Sequence, residues 1–137
     1  MAYEIRTASY YYFTVADEPS AGYQILSLLA EQGVDLLAFA ALPLGPMHTQ
    51  LTLFPSEDAL LEQVAKRAEI QLDGPHPALL VTGDNELGAL AEVHAELAEA
   101  GVDVYASSGV AGGQGRYGCV IYVRPDAYRT AVKALGL

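Results

Sequence analysis

The stretches Leu29-Ala30-Glu31-Gln32-Gly33-Val34-Asp35 and Leu97-Ala98-Glu99-Ala100-Gly101-Val102-Asp103 decide the fold. Each closes an alanine- and leucine-rich helical pattern on Gly-Val-Asp and opens an apolar, strand-like run. Their spacing is 101 − 33 = 68 residues, about half of a 137-residue chain. Self-similarity at a fixed spacing indicates a unit written twice. At an offset of 70, Phe54-Pro55 falls on Arg124-Pro125, so the second copy carries two extra residues between its middle strands.

Working outward, residues 10–15 are aromatic and β-branched and read as a strand. Asp17-Glu18-Pro19-Ser20-Ala21-Gly22 has turn chemistry. Ile25, Leu26, Leu28 and Leu29 recur at helical spacing up to Gly33, which suits a left-handed helix cap. Residues 34–42 form an apolar strand, and Pro43-Leu44-Gly45-Pro46 turns the chain. His48-Thr49-Gln50-Leu51-Thr52-Leu53-Phe54 alternates as a returning strand. Ser56 is placed to cap a second helix carrying Leu60, Leu61, Val64 and Ala68. The second copy repeats this order: strand 78–82, turn 83–86, helix 87–100, strands 102–110 and 117–123, and a last helix from Pro125 to Leu135.

Each helix has one apolar stripe and each sheet one apolar face. The expected class is therefore α+β, with helices on one side of an antiparallel sheet in the split β-α-β order of ferredoxin-like folds. The expected units are 1–73 and 78–137, with 74–77 as linker, because Pro and Gly in Asp73-Gly74-Pro75-His76-Pro77 oppose helix and central strand alike. A fourth strand is needed in each unit. Ile70-Gln71-Leu72 is the candidate in the first, and residues 2–8 are expected to complete the second or to join another chain.

Composition excludes several functions. The formal charge is −10, from 17 acidic against 7 basic residues, and the bases are scattered, so nucleic acid is not an expected partner. No apolar run reaches the roughly 18–20 residues of a membrane span. The N-terminus has no signal-peptide pattern, and the single Cys119 fits a reducing cytoplasm. His48, His76 and His94 have no metal-ligand spacing, so neither metal nor cofactor is expected. His94 reads as an ordinary hydrogen-bonded histidine. The glycine-rich run Gly109 to Gly118 lacks the Lys-Ser/Thr of a phosphate loop and reads as a long, flexible hairpin. Ser107 and Ser108 have no nucleophile-elbow pattern.

The stretch Leu80-Val81-Thr82-Gly83-Asp84-Asn85-Glu86-Leu87-Gly88-Ala89-Leu90, followed by a helix and Gly101-Val102-Asp103, resembles the ACT domain family. That family has the β-α-β-β-α-β fold and usually binds a small effector, most often an amino acid. Asn85, Gly88 and Leu90 match its turn motif, whereas Leu87 stands where proline is usual. The first copy keeps Asp17 and Pro19, but has Ser20 at the glycine place and Gly22 two residues later. The resemblance covers nearly the whole chain as a tandem pair. It implies ligand contacts at 84–90, at the turn 17–22, and near the second strands at Phe39, Tyr105 and Ser107.

Physical chemistry gives that turn a use of its own. A strand entering a helix exposes the helix's first N–H groups and the positive end of its dipole, and a glycine there lets a carboxylate come close. Asp84 could hold an ammonium group. Alternatively, Asp84 or Asn85 caps the helix and Gly88 lets two elements pack. The function expected is a non-catalytic regulatory or sensor protein. It would bind a small effector such as an amino acid, form a homodimer and act on a partner enzyme in trans. The alternatives are a small ferredoxin-like enzyme or enzyme subunit, built around a buried group such as His48 or Tyr12, and a ligand-free oligomerisation module.

Overall fold

The computed structural model describes residues 3–16, 18 and 20–137. Asp17 and Pro19, two of the expected site residues, lie outside the described residues. The elements are β1 (Tyr3–Ala16), α1 (Ala21–Glu31), β2 (Leu36–Leu44), β3 (His48–Pro55), α2 (Asp58–Arg67), β4 (Asp73–Asp84), α3 (Ala89–Glu99), β5 (Val104–Gly113), β6 (Arg116–Val123) and α4 (Tyr128–Ala134), with a 3-10 turn at Pro125–Ala127 before α4. The chain is thus α+β, with six strands and four α-helices among the described residues.

It divides into two compact units: Ser9–His76, and Met1–Ala8 together with Pro77–Leu137. Two strands, β1 and β4, are each divided between the units. In Ser9–His76 the strand order is β2-β3-β1-β4. β1 and β3 run antiparallel with Tyr11 opposite Leu53, and Phe39 of β2 also faces Leu53. Tyr11, Leu29, Val34, Leu53, Leu61 and Val64 make its core. In the other unit the order is β1-β4-β6-β5, with Val81 of β4 opposite Cys119 and Ser107 of β5 opposite Ile121. Alternation along β6 turns Tyr117, Cys119, Ile121 and Val123 inward to meet Val93 and Leu97 of α3 and Ala131 of α4. Tyr3 and Ile5 pack against that core. Residues 3–8 thus group with 77–137, and residues 73–76 with the first unit.

The repeated heptapeptides adopt the same cap. Gly33 and Gly101 have φ of 78° and 74°. The N–H of Gly33 donates to the Ala30 carbonyl at 3.1 Å, and that of Val34 to Leu29 at 2.9 Å. The N–H of Gly101 donates to Ala98 at 3.0 Å, and that of Val102 to Leu97 at 2.9 Å. These are Schellman bonds, accompanied by the apolar contact between the residue after the glycine and the leucine five before it. Leu29, Leu97, Val34 and Val102 are all buried. Full burial of a leucine of this kind contributes about 1.5–3 kcal/mol.

Four local expectations are corrected. Ile70-Gln71-Leu72 is not a strand, since β4 begins only at Asp73. The stretch expected as a linker is the first part of β4. Proline there loses only a donor, and Gly74 brings the strand close enough that a Cβ would lie 2.8 Å from the Tyr10 carbonyl oxygen. Glu57, not Ser56, occupies the N-cap of α2, and no side chain bonds there. The glycine-rich run is no long loop: β5 continues to Gly113, and Gln114 and Gly115, with φ of 55° and 71°, turn the chain in two residues. Positive φ at both central positions is what a tight hairpin needs to match the twist of its strands.

Candidate functional site at the start of α3

β4 leaves its sheet at Asp84, and four residues later the chain enters α3. The Asn85 N–H donates to the Gly115 carbonyl at 2.7 Å, so the β5–β6 turn anchors this loop. The Ala89 N–H donates to Glu86 at 3.1 Å. Gly88 is the N-cap, with φ of 84° and no side-chain cap. A Cβ on Gly88 would meet nothing within 4 Å. The glycine therefore serves the left-handed turn and leaves space open, and the packing role is corrected. Beyond it the N–H groups of the first turn have no carbonyl within the helix ladder, and they sit at the positive end of the dipole.

A cavity of about 530 Å³ opens at this turn. One wall is the loop and first turn of α3, from Asn85 through Leu90 to Ala91. The other is Gly109, Val110 and Ala111 of β5, with Tyr117 of β6 beside them. The volume lies in the few-hundred-Å³ range of small-molecule sites. Leu87, Leu90 and Val110 at its rim are large apolar side chains left exposed. Gly109 lies against Leu90, where a Cβ would be 3.4 Å from a Leu90 methyl carbon. Tyr117 is 5% exposed, and its buried hydroxyl has no hydrogen-bond partner among the described residues. Burial first, then the charges of Cys119 and Glu92, push its ionisation above the usual tyrosine range.

Of the expected ligand contacts, Asn85, Glu86, Leu87, Gly88, Ala89 and Leu90 line this cavity, and Asp84 does not. The Asp84 carboxylate accepts from Arg116 at 2.8 Å, which occupies the group expected to hold an ammonium. Tyr105 and Ser107 lie on β5 outside the cavity lining. Arg124 sits over the Tyr105 ring at 5.3 Å from its centre. His94 Nδ1 lies 2.7 Å from the Leu90 carbonyl and Nε2 3.2 Å from the Ser107 hydroxyl. A carbonyl only accepts, so Nδ1–H donates to it and the Ser107 hydroxyl donates to Nε2 in the neutral ring. His94 is thus an ordinary bonded histidine, as expected.

In the other unit, Ser20 is the N-cap of α1 without a cap bond, and its hydroxyl accepts from Gln24 at 3.3 Å. Gly22 lies inside α1 with nothing within 4 Å of a built Cβ, and Phe39 is half-exposed on β2. His48 is exposed at the start of β3, while the Tyr12 ring stacks on His76 at 5.3 Å. Hydrogen bonds from Tyr12 and then His76 hold the Asp73 carboxyl below the ordinary carboxylate range. Sequence reading missed the β5 wall and Tyr117. Strand pairing alone brings these residues beside the turn at 85–90, and the glycines of the run were the only signal.

No family model matches the chain, and no curated protein matches it. Solved structures share its fold. Protein BT0572 from Bacteroides thetaiotaomicron is 17% identical, with a TM-score of 0.80 over 96% of this chain and 88% of that one. The regulatory subunit of aspartate kinase from Thermus thermophilus is 17% identical, with a TM-score of 0.66 over 99% and 95% of the two chains. A putative C-terminal regulatory domain of aspartate kinase from Porphyromonas gingivalis W83 is 15% identical, with a TM-score of 0.56 over 98% and 94%. The chain therefore shares the α+β fold of these structures. No helix of the described residues is long and apolar enough to cross a membrane.

Proposed function

We propose that this protein is a non-catalytic regulatory or sensor protein, built from two tandem ACT-like units, that binds a small amino acid at the start of α3. The carrying observation is the cavity against the left-handed turn at Gly88, where helix N–H groups and open space meet an apolar wall. The effector's carboxylate takes the first-turn N–H groups beyond Ala89, at Leu90 and Ala91, and Glu86, exposed at the rim, is the acid available to its ammonium. This replaces the role expected for Asp84. The strand order supports the ferredoxin-like assignment: it is 4-1-3-2 in the first unit by chain order, and 4-1-3-2 in the second when the β1 segment is counted as its fourth strand. Binding favours one arrangement of the units over another and shifts a population. The protein works in the cytoplasm as a homodimer, with a partner enzyme in trans as its output. The first-unit turn at Ser20 and Gly22, with Asp17 and Pro19, is a second place for the same effector.

Thermal unfolding against each standard amino acid at millimolar concentration tests this reading. A ligand at a hundredfold excess over Kd stabilises by about 2.7 kcal/mol. With an unfolding entropy of about 2.1 cal/mol/K per residue, that is a rise in Tm of about 9 °C for a chain of this length. A selective rise, lost in Gly88→Val, is the expected result. No rise with any amino acid would refute the proposal.

A further inference from the structure

A second cavity, of about 390 Å³, lies wholly within Ser9–His76, between the C-terminal turns of α2 and the start of β4. Its volume is again in the range of small-molecule sites. Ile70, Leu72 and Pro75 give it aliphatic walls, and Glu62 and Lys66 line it from one face of α2. A glutamate four residues before a lysine ordinarily pairs with it along a helix. Here the Tyr11 hydroxyl, also in the lining, donates to the Glu62 carboxylate, and Lys66 makes no ion pair among the described residues. One acid and one base thus line the same cavity without being joined.

That pair selects a ligand by exclusion. A simple anion meets the Glu62 charge and the chain's net charge of −10, and a simple cation meets Lys66. A purely apolar molecule displaces water from both charges and gives neither a partner. A molecule with both charges and a short aliphatic body gives each group a partner and the walls an apolar surface to cover. We propose that this cavity binds such a zwitterion, its ammonium on Glu62, its carboxylate on Lys66 and its branched aliphatic body against Ile70, Leu72 and Pro75. Glu62 keeps its bond from Tyr11, since a carboxylate has acceptor sites for both donors. The site is separate from the cavity at α3, and the inference does not depend on the functional reading given for that cavity.

Calorimetric titration of leucine, of isocaproate (leucine without its ammonium) and of isoamylamine (leucine without its carboxylate) provides the test. Leucine should bind the wild type about tenfold more tightly than either analogue, the worth of one hydrogen bond to a charged group. Glu62 and Lys66 are exposed on α2, so substitution there leaves the core intact. Lys66→Gln should weaken leucine about tenfold without weakening isoamylamine, and Glu62→Gln should weaken leucine similarly without weakening isocaproate. The leucine binding lost in Lys66→Gln should persist in Gly88→Val, which alters the other cavity. Leucine affinity unchanged in Lys66→Gln, with or without a lower Tm, would show that Lys66 serves only the end of α2 and would overturn the inference. Analogues binding as tightly as leucine, or no binding of leucine to the wild type, would overturn it too. Leucine binding lost in Gly88→Val but kept in Lys66→Gln would support the site at α3 and overturn this one.

Discussion

Replacing Gly88 and Gly101 by alanine, one at a time, separates what a left-handed turn does for stability from what it does for a ligand. Both residues have positive φ, 84° and 74°, and a Cβ on either would meet nothing within 4 Å. The cost of alanine is therefore conformational and nearly equal at the two sites, about 1–2 kcal/mol for a non-glycine residue held in the left-handed region. With the unfolding entropy scaled to 137 residues, this lowers Tm by about 3–7 °C in each variant. Binding should differ. Gly101 ends α3 far along the chain from the cavity lining, whereas Gly88 lines the cavity, so its new methyl group takes ligand space. Overpacking of that kind costs about 1–2 kcal/mol, roughly a five- to thirtyfold loss of affinity. Differential scanning calorimetry and titration of the effector supply the two readouts. Matched losses of Tm with binding weakened in Gly88→Ala alone would support the site. Gly88→Ala binding as tightly as wild type would refute it, and leave Gly88 a turn residue.

Three further outcomes follow from particular contacts. The Asp84–Arg116 pair is more than half exposed on both sides, so Asp84→Asn should change stability by less than about 1 kcal/mol and leave effector affinity unchanged, which a melt and a titration will show. Glu69 ends α2 with φ of 58°, its N–H donating to Lys66 and that of Ile70 to Ala65. Glu69→Gly should therefore stabilise by about 0.5–1 kcal/mol, the relief of backbone strain less the extra unfolded-state entropy of glycine, read as a rise in urea midpoint. Burial first, and then the hydrogen bonds to Glu96 and Glu62, raise the ionisation of Tyr3 and Tyr11 above the ordinary value of about 10. Above that pH the unfolded chain loses protons that the folded one retains, so their stabilisation is full below about pH 10 and declines as pH rises further. Tyr3→Phe and Tyr11→Phe should each make stability less steep with pH in that range, measured by alkaline denaturation.

The helices, most of the succession of strands along the chain and the two matched caps were legible because their causes are local. Leu29 and Leu97 mark an apolar stripe, and Gly33 and Gly101 stop their helices by a backbone preference that needs no distant partner. The loop 85–90 was legible for the same reason: a glycine between a strand and a helix marks an exposed helix start wherever the chain folds. The pairing of Asp84 was not legible because its partner, Arg116, is 32 residues away and arrives only when β4 pairs with β6. The glycine run at 109–118 was read as loose because glycine is compatible with loop and tight turn alike. The register of β5 against β6 selects the turn.

The sequence by itself determined a duplicated unit with α+β periodicity, an acidic surface and a glycine turn suited to an anion, since these depend on spacing, charge and backbone preference. Only the tertiary structure decided that β1 and β4 are each divided between the two units, that β5 walls the cavity, and that Tyr117 carries a buried hydroxyl with no partner among the described residues. Those outcomes depend on which residues strand pairing brings together across tens of positions, and on which polar atoms it then removes from water.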